Sequence, residues 1–189
     1  MYVGQETNGW ATLQTPDDVR SLMDFHKEFN LAKDYPRKGA PFWSFAHRLD
    51  SRMNPQGPER SFIWSNIARL GFANNAGRVS QSDLEFWSGK RLLATEIKVL
   101  SPRAVIFATG PRYDDLVRAE FDGIDLPEIS KDKPIARIAH VDLPSLSFRM
   151  YHPAFLRRNK LEELVTDIIV KAVSTDCPRE ILPKKEINH

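Results

Sequence analysis

Four short apolar segments along the chain each give way to a polar or turn-forming stretch. Tyr2-Val3 runs into Gly4-Gln5-Glu6, and the apolar, aromatic segment Arg60–Ser65 ends on Asn66. Ala104–Ala108 (Ala-Val-Ile-Phe-Ala) stops at Thr109-Gly110-Pro111, and Ser147–Tyr151 leads into His152-Pro153. An unbroken apolar run of this length suits a strand buried on both faces, as in a parallel sheet. The pattern predicts strands at 1–3, 60–65, 104–108 and 147–151. Ile135–Val141 fits either a further strand or one arm of a hairpin with 147–151.

Helical patterns lie between these segments. Pro16–Phe29 opens with Thr15 as a candidate N-cap, Pro16 in the first helical position and Asp17-Asp18 in the first turn. Ser82–Leu100 carries Leu84, Trp87, Leu92, Ile97 and Leu100 near helical spacing, and Tyr113–Glu120 and Asn159–Ser174 complete the set. Strands that alternate with helices argue for a parallel sheet covered on both sides. The expected architecture is a three-layer α/β/α sandwich around a central, mainly parallel four-stranded sheet. Asp34–Pro41 and Asp50–Arg60, rich in Pro, Gly and charge, read as loops on either side of Phe42-Trp43-Ser44-Phe45. One domain over 1–177 is expected, with 178–189 as a flexible C-terminal tail.

Composition narrows the class. Hydrophobic content of 41% and charged content of 28% are those of a folded globular domain, which argues against disorder of the whole chain. A net charge of +2 says little about partners. The distribution says more, because Arg149, Arg157, Arg158 and Lys160 gather around the His-Pro turn. That cluster suits a phosphate backbone, and equally an ordinary solvated face. The single cysteine, Cys177, leaves no intramolecular disulfide, no Cys-ligated iron–sulfur cluster and no zinc knuckle. No apolar run is long enough to span a membrane, and the apolar start is too short for a secretion signal. A cytoplasmic monomer with no metal and no cofactor is expected.

In a parallel α/β sheet, ligands bind beyond the C-terminal ends of the strands. Three strands here end in Gly4-Gln5-Glu6, in Asn66 and in His152-Pro153-Ala154-Phe155-Leu156. In order and character these resemble the uracil-DNA glycosylase superfamily, whose pattern is Gly-Gln-Asp-Pro-Tyr after the first strand, Asn after the second, and a final His-Pro-Ser-Pro-Leu. The resemblance spans roughly residues 1–160. It implies a monofunctional DNA glycosylase that takes a flipped uracil or modified pyrimidine from DNA and leaves an abasic site. Gln5 then matches the glutamine whose backbone helps hold the base, and Glu6 takes the place of the water-activating Asp. Asn66 matches the amide that reads the base edge, and His152 the histidine that stabilises charge on the departing base. Leu156 matches the wedge leucine that enters the duplex, with Phe155, Arg157 and Arg158 beside it as DNA contacts. Phe42 is the expected stacking aromatic, with Phe45 and Trp43 as alternatives.

The chemistry agrees with those roles. Extruding a base costs a few kcal/mol and is helped by an inserted apolar side chain and a stacking pocket. Cleaving the glycosidic bond builds positive charge on the sugar and negative charge on the base, which a carboxylate and a hydrogen-bond donor answer respectively. Two departures mark the first motif. Glu6 is one methylene longer than Asp, so either Glu6 or Asn8 positions the water. Thr7-Asn8 replaces Pro-Tyr, and in the uracil-specific branch that tyrosine rejects a C5 methyl group. A C5-substituted pyrimidine, such as those of phage DNA, is therefore an expected substrate, in repair or in antiviral defence, unless Trp10 or a residue of 34–60 fills the space. A non-catalytic nucleic-acid-binding relative and a nucleoside or nucleotide hydrolase are the other readings.

Overall fold

Alternation within the strands decides how the layers assemble. The computed structural model describes residues 1–6, 20, 23–24, 40–58, 62–68, 82 and 90–176. Its strands are β1 (Tyr2–Gly4), β2 (Trp64–Asn66), β3 (Ala104–Phe107), β4 (Ile135–Arg137) and β5 (Leu146–Met150). Tyr2, Ala104, Ile106, Leu146, Phe148 and Met150 face one apolar cluster, and Val3, Val105 and Phe107 face the other. Successive side chains point to opposite faces of a strand, so each continuous apolar run feeds two cores. One core is closed by α1 (Pro41–Met53), α4 (Pro153–Arg158) and α5 (Glu162–Asp176), through Phe45, Leu49, Leu156, Val165 and Ile169. The other is closed by α2 (Leu92–Leu100) and α3 (Asp114–Glu120), through Leu93, Ile97, Leu116 and Val117. The architecture is the expected α/β sandwich.

Among the described residues the sheet has five strands rather than four, in the order β2-β1-β3-β5-β4. β2, β1, β3 and β5 pair in parallel, and β4 lies antiparallel on β5 with Ile135 opposite Met150 and Arg137 opposite Phe148. Ile135–Val141 is thus the arm of a hairpin, shortened to 135–137. The chain passes outward from β1 to β2 and then returns across β1 to β3, so the topological switch falls between β1 and β3. In such sheets the crevice at the switch is where ligands bind.

Two helical expectations are corrected. Phe42–Phe45 lies in α1, which begins at Pro41, and the loop expected from Asp50 starts only after Met53. Pro at the first helical position is pre-organised for a helix start, and Ser44 donates to the Ala40 carbonyl at 2.9 Å. The predicted helix 82–100 is not continuous. Ser82 is helical, but Lys90 is in a turn and Arg91 sits at φ 45°, which resets the helical phase. Leu93, Ala94 and Ile97 are therefore buried, whereas Leu92 and Leu100 face solvent. Glu120 from α3 caps α2 in trans, its buried carboxylate accepting the amides of Leu93 and Ala94 at 3.0 and 3.1 Å. Within Pro16–Phe29 the described residues Arg20, Met23 and Asp24 are helical; the rest of that segment, and 177–189, lie outside the described residues. No helix among the described residues is long and apolar enough to cross a membrane.

Candidate active site

The C-terminal ends of β1, β2, β3 and β5 bring the motif residues into one place. Gly4 pairs with Asn66 across β1 and β2. A Cβ built on Gly4 would collide with Asn66 Oδ1 and come within 2.9 Å of Phe42 Cζ. Any side chain larger than glycine's would fill the point where the amide and the ring meet. Gly4 is thus required here for close approach, one of the two things glycine supplies. Just beyond it, the Gln5 side chain donates to the Thr109 carbonyl at 2.8 Å, and the Gln5 carbonyl accepts the Ala68 amide at 2.9 Å. These bonds lock the end of β1 to β2 on one side and β3 on the other, at the switch point.

Glu6 follows, half-buried, with Oε2 out of solvent and without a hydrogen-bond partner among the described residues. The phenol of Tyr113, from the single 3-10 turn after β3, faces this carboxylate. Burial first, then the charge and hydrogen bonding of Glu6, push Tyr113 up to about 12. It therefore remains a protonated donor at any working pH. Gly110, at φ 71°, lets β3 turn into that 3-10 segment while its amide holds the Met150 carbonyl at 3.0 Å. The backbone of His152 lies directly beside Gly110, with its nitrogen 3.6 Å from where a Cβ would stand.

His152 is the N-cap of α4, with Pro153 in the first helical position. The Ala154 amide donates to its Nδ1 at 3.2 Å, so the neutral ring carries its proton on Nε2 and presents that proton as a donor. Burial, aided by the positive charge of Arg158, lowers His152 from 6.5 to about 4. The ring is neutral throughout the physiological range. Its plane lies nearly parallel to Phe42, with centroids 5.9 Å apart and an interplanar angle of 16°. Phe42 also packs on Tyr2 at 4.9 Å.

Among the three aromatics considered for stacking, the geometry separates Phe42 from the others. Phe45 is fully buried in the core, and Trp43 sets its edge against Trp64 at 4.6 Å. Phe42 alone of the three borders Gly4, Asn66 and His152 together. Gln5, Glu6, Asn66 and His152 stand at neighbouring strand ends, as the motif order implies. Asn8, Thr7 and Trp10 lie outside the described residues. Tyr113 and the Thr109-Gly110 corner were not singled out in the sequence. The signal available for them was the abrupt stop of the apolar run 104–108 at Thr-Gly-Pro, the mark of a strand end at the sheet's binding edge.

Two expectations about the rim around the His-Pro turn change, those for Leu156 and Arg149. Leu156 does not stand ready to enter a duplex: it is 0% exposed and belongs to the core. Because α4 starts at Pro153, residues 153 and 156 share its inner face by the three-residue helical spacing, and both are buried. Phe155 is half-buried and stacked on Tyr151, with centroids 4.0 Å apart. Arg149 is no part of a basic rim, since it is 2% exposed on the opposite sheet face. There it grips Asp114 with Nε at 2.6 Å and a second, shorter Nη2 contact, and it also donates to the Pro127 carbonyl. Arg157 pairs with Glu162 at 3.1 Å. Arg158 and Lys160 are exposed and have no ion-pair partner among the described residues.

Among the described residues no group of His, Cys, Asp or Glu is placed to hold a metal ion. No protein-family model and no curated protein matches this chain.

Proposed function

We propose that the protein is a DNA glycosylase that accepts a uracil or C5-substituted pyrimidine flipped out of DNA and hydrolyses its N-glycosidic bond. The observation that carries this reading is the placing of Phe42, which meets Asn66 at Gly4 and lies nearly parallel to the neutral His152 ring. A flat aromatic face, an amide and a fixed N–H donor brought close together suit a planar heterocycle. In this reading the base stacks on Phe42 and Asn66 reads its polar edge. The His152 Nε2–H donates a hydrogen bond to the base oxygen that gains charge as the bond breaks, and the proton stays on the ring. Water attacks the anomeric carbon and the bonding electron pair leaves with the base. The half-buried Glu6 orients the water, answers the positive charge on the sugar and takes the water's proton, which passes through solvent to the departed base. Aligned donors of this kind are worth about 3–4 kcal/mol each in the transition state. The C5 preference rests on Thr7-Asn8 standing where the uracil-specific pattern has Pro-Tyr. A repair or an antiviral setting follows from which modified base is released.

The test is a panel of single- and double-stranded oligonucleotides carrying uracil, thymine, 5-hydroxymethylcytosine or its glucosylated form, scored for alkali-labile breaks. Breaks at a C5-substituted pyrimidine that vanish in Glu6→Gln and His152→Ala support the reading. Efficient release of uracil alone removes the C5 preference. Retention of DNA without any abasic site supports a non-catalytic binding relative, and release from free nucleosides only supports a nucleoside hydrolase.

A further inference from the structure

Two helices begin at the candidate site. α1 starts at Pro41 and presents Phe42, and α4 starts at Pro153 and is capped by His152. The gap between the two rings depends on how these helices are held against each other. α4 has only six residues, too few to be stable without tertiary support. Beyond the apolar packing of Leu156, one carboxylate reaches both helices. Glu162, the first residue of α5, accepts from Arg157 Nε of α4 at 3.1 Å through Oε1 and meets Arg48 Nη2 of α1 at 3.2 Å through Oε2. Its side chain is 14% exposed, whereas neighbouring Glu163 is 67% exposed and, among the described residues, pairs only with Arg48 and Arg52 of α1. Exposed pairs contribute little; a shielded carboxylate shared by two guanidinium groups is less screened. Arg48 Nε and Nη2 are buried without an aligned hydrogen bond, so this end of the guanidinium relies on the Glu162 charge. That charge also reaches Tyr2, the residue packed beneath Phe42.

We propose that Glu162 is a positioning residue for the Phe42–His152 ring pair, tying the helix that carries Phe42 to the helix that His152 caps. It acts through Arg48 and Arg157, and it sets the spacing of the two rings and their shielding from water. The inference rests on the proposed function only for the purpose of that ring pair, and its test needs no substrate.

The measurement is an NMR titration of the His152 ring in the parent protein, Glu162→Gln and Glu163→Gln. Arg158 on its own helix is the charge that acts on His152, the uncharged Phe42 ring of α1 lies parallel to it, and Glu162 pairs with Arg48 and Arg157 of the same two helices. If Glu162 acted only through its charge, removing that charge would lower the His152 pKa further, because an anion favours the imidazolium. A positioning role gives the opposite sign: the helices part, water reaches the ring, and the pKa climbs from about 4 toward 6.5, by about one pH unit. Glu163→Gln leaves it in place. Glu162→Asp keeps the charge but shortens the reach, and raises the pKa as well; it serves where Glu162→Gln does not fold. An unchanged or lowered His152 titration in the Glu162 variants, or an equal rise in Glu163→Gln, overturns the proposal. Because no base need be released, loss of the glycosylase reading leaves this result standing.

Discussion

Phe42 and His152 come from opposite halves of the chain, yet their rings lie nearly parallel with centroids 5.9 Å apart. The contact joins the start of α1 to the cap of α4 across the ends of the sheet, and it unites a stacking surface with a hydrogen-bond donor. Replacing Phe42 with Leu keeps apolar volume but removes the flat face. Base–aromatic stacking is worth about 1–3 kcal/mol per base, so kcat/KM on the best oligonucleotide should fall roughly 10- to 100-fold by that principle. Phe45→Leu, in the core, should lower the Tm with kcat/KM little changed.

The environment of His152 also predicts a pH dependence of stability. Its folded pKa of about 4 lies below the ordinary 6.5, so the unfolded chain binds this proton first as acid is added. The stability that results is complete above about pH 6.5, declines as pH falls toward 4, and levels off below that. The whole effect is at most about 3 kcal/mol. In His152→Gln the unfolding free energy should lose this slope between pH 4 and 6.5. Urea titrations at closely spaced pH values check it, and parallel curves for parent and variant would refute the assignment.

Gly4 yields a sharper case, since a methyl group there meets Asn66 Oδ1 and the Phe42 ring together. Gly4→Ala should cost about 1–3 kcal/mol from overpacking. Its larger effect should be on the site, because the two groups that must shift are the amide and the ring that, in the proposed reading, hold the base. The expected outcome is a folded protein, by circular dichroism, whose release of the base falls further than its Tm. A variant with a lowered Tm and undiminished activity would show that the Gly4 corner is not part of the pocket.

The α/β class and the strand ends were readable because their causes are local. Continuous apolar runs specify buried parallel strands, and Gly-Gln-Glu, Asn66 and His-Pro interrupt them at the edge where ligands bind. What was hidden depends on phase and partners. α1 was obscured because Pro41 looked like loop punctuation when it is a helix start. The fifth strand is three residues long and acquires its identity only from pairing with β5. Leu156 sits at the sequence offset of a wedge, but the phase of α4 turns it inward beside Pro153. Arg149 looked basic and available because its partner, Asp114, is brought to it across the sheet by α3. Charge can be counted in a sequence, whereas pairing requires the fold.

The arginines near the His-Pro turn can be told apart by two measurements. Arg149 is buried and doubly bonded to Asp114, whose side chain is 14% exposed. Removing one partner of a buried pair leaves the other charge stranded, at a cost of about 3–5 kcal/mol. Arg149→Met should therefore lower the urea midpoint strongly while leaving the salt dependence of DNA binding as it is. Arg158 and Lys160 are exposed on the same rim as His152 and have no ion-pair partner among the described residues. Each cation that contacts a phosphate releases about one counterion, and log–log plots of affinity against salt flatten by about one unit when it is removed. Arg158→Ala and Lys160→Ala should each flatten that slope and barely move the urea midpoint. Arg158→Ala carries a second signature, because its charge helps hold the His152 pKa down. Its loss should raise the imidazole titration, an effect that Lys160→Ala should not share. If both variants bind DNA with the parent's salt slope, the phosphates run elsewhere and this rim is an ordinary solvated face.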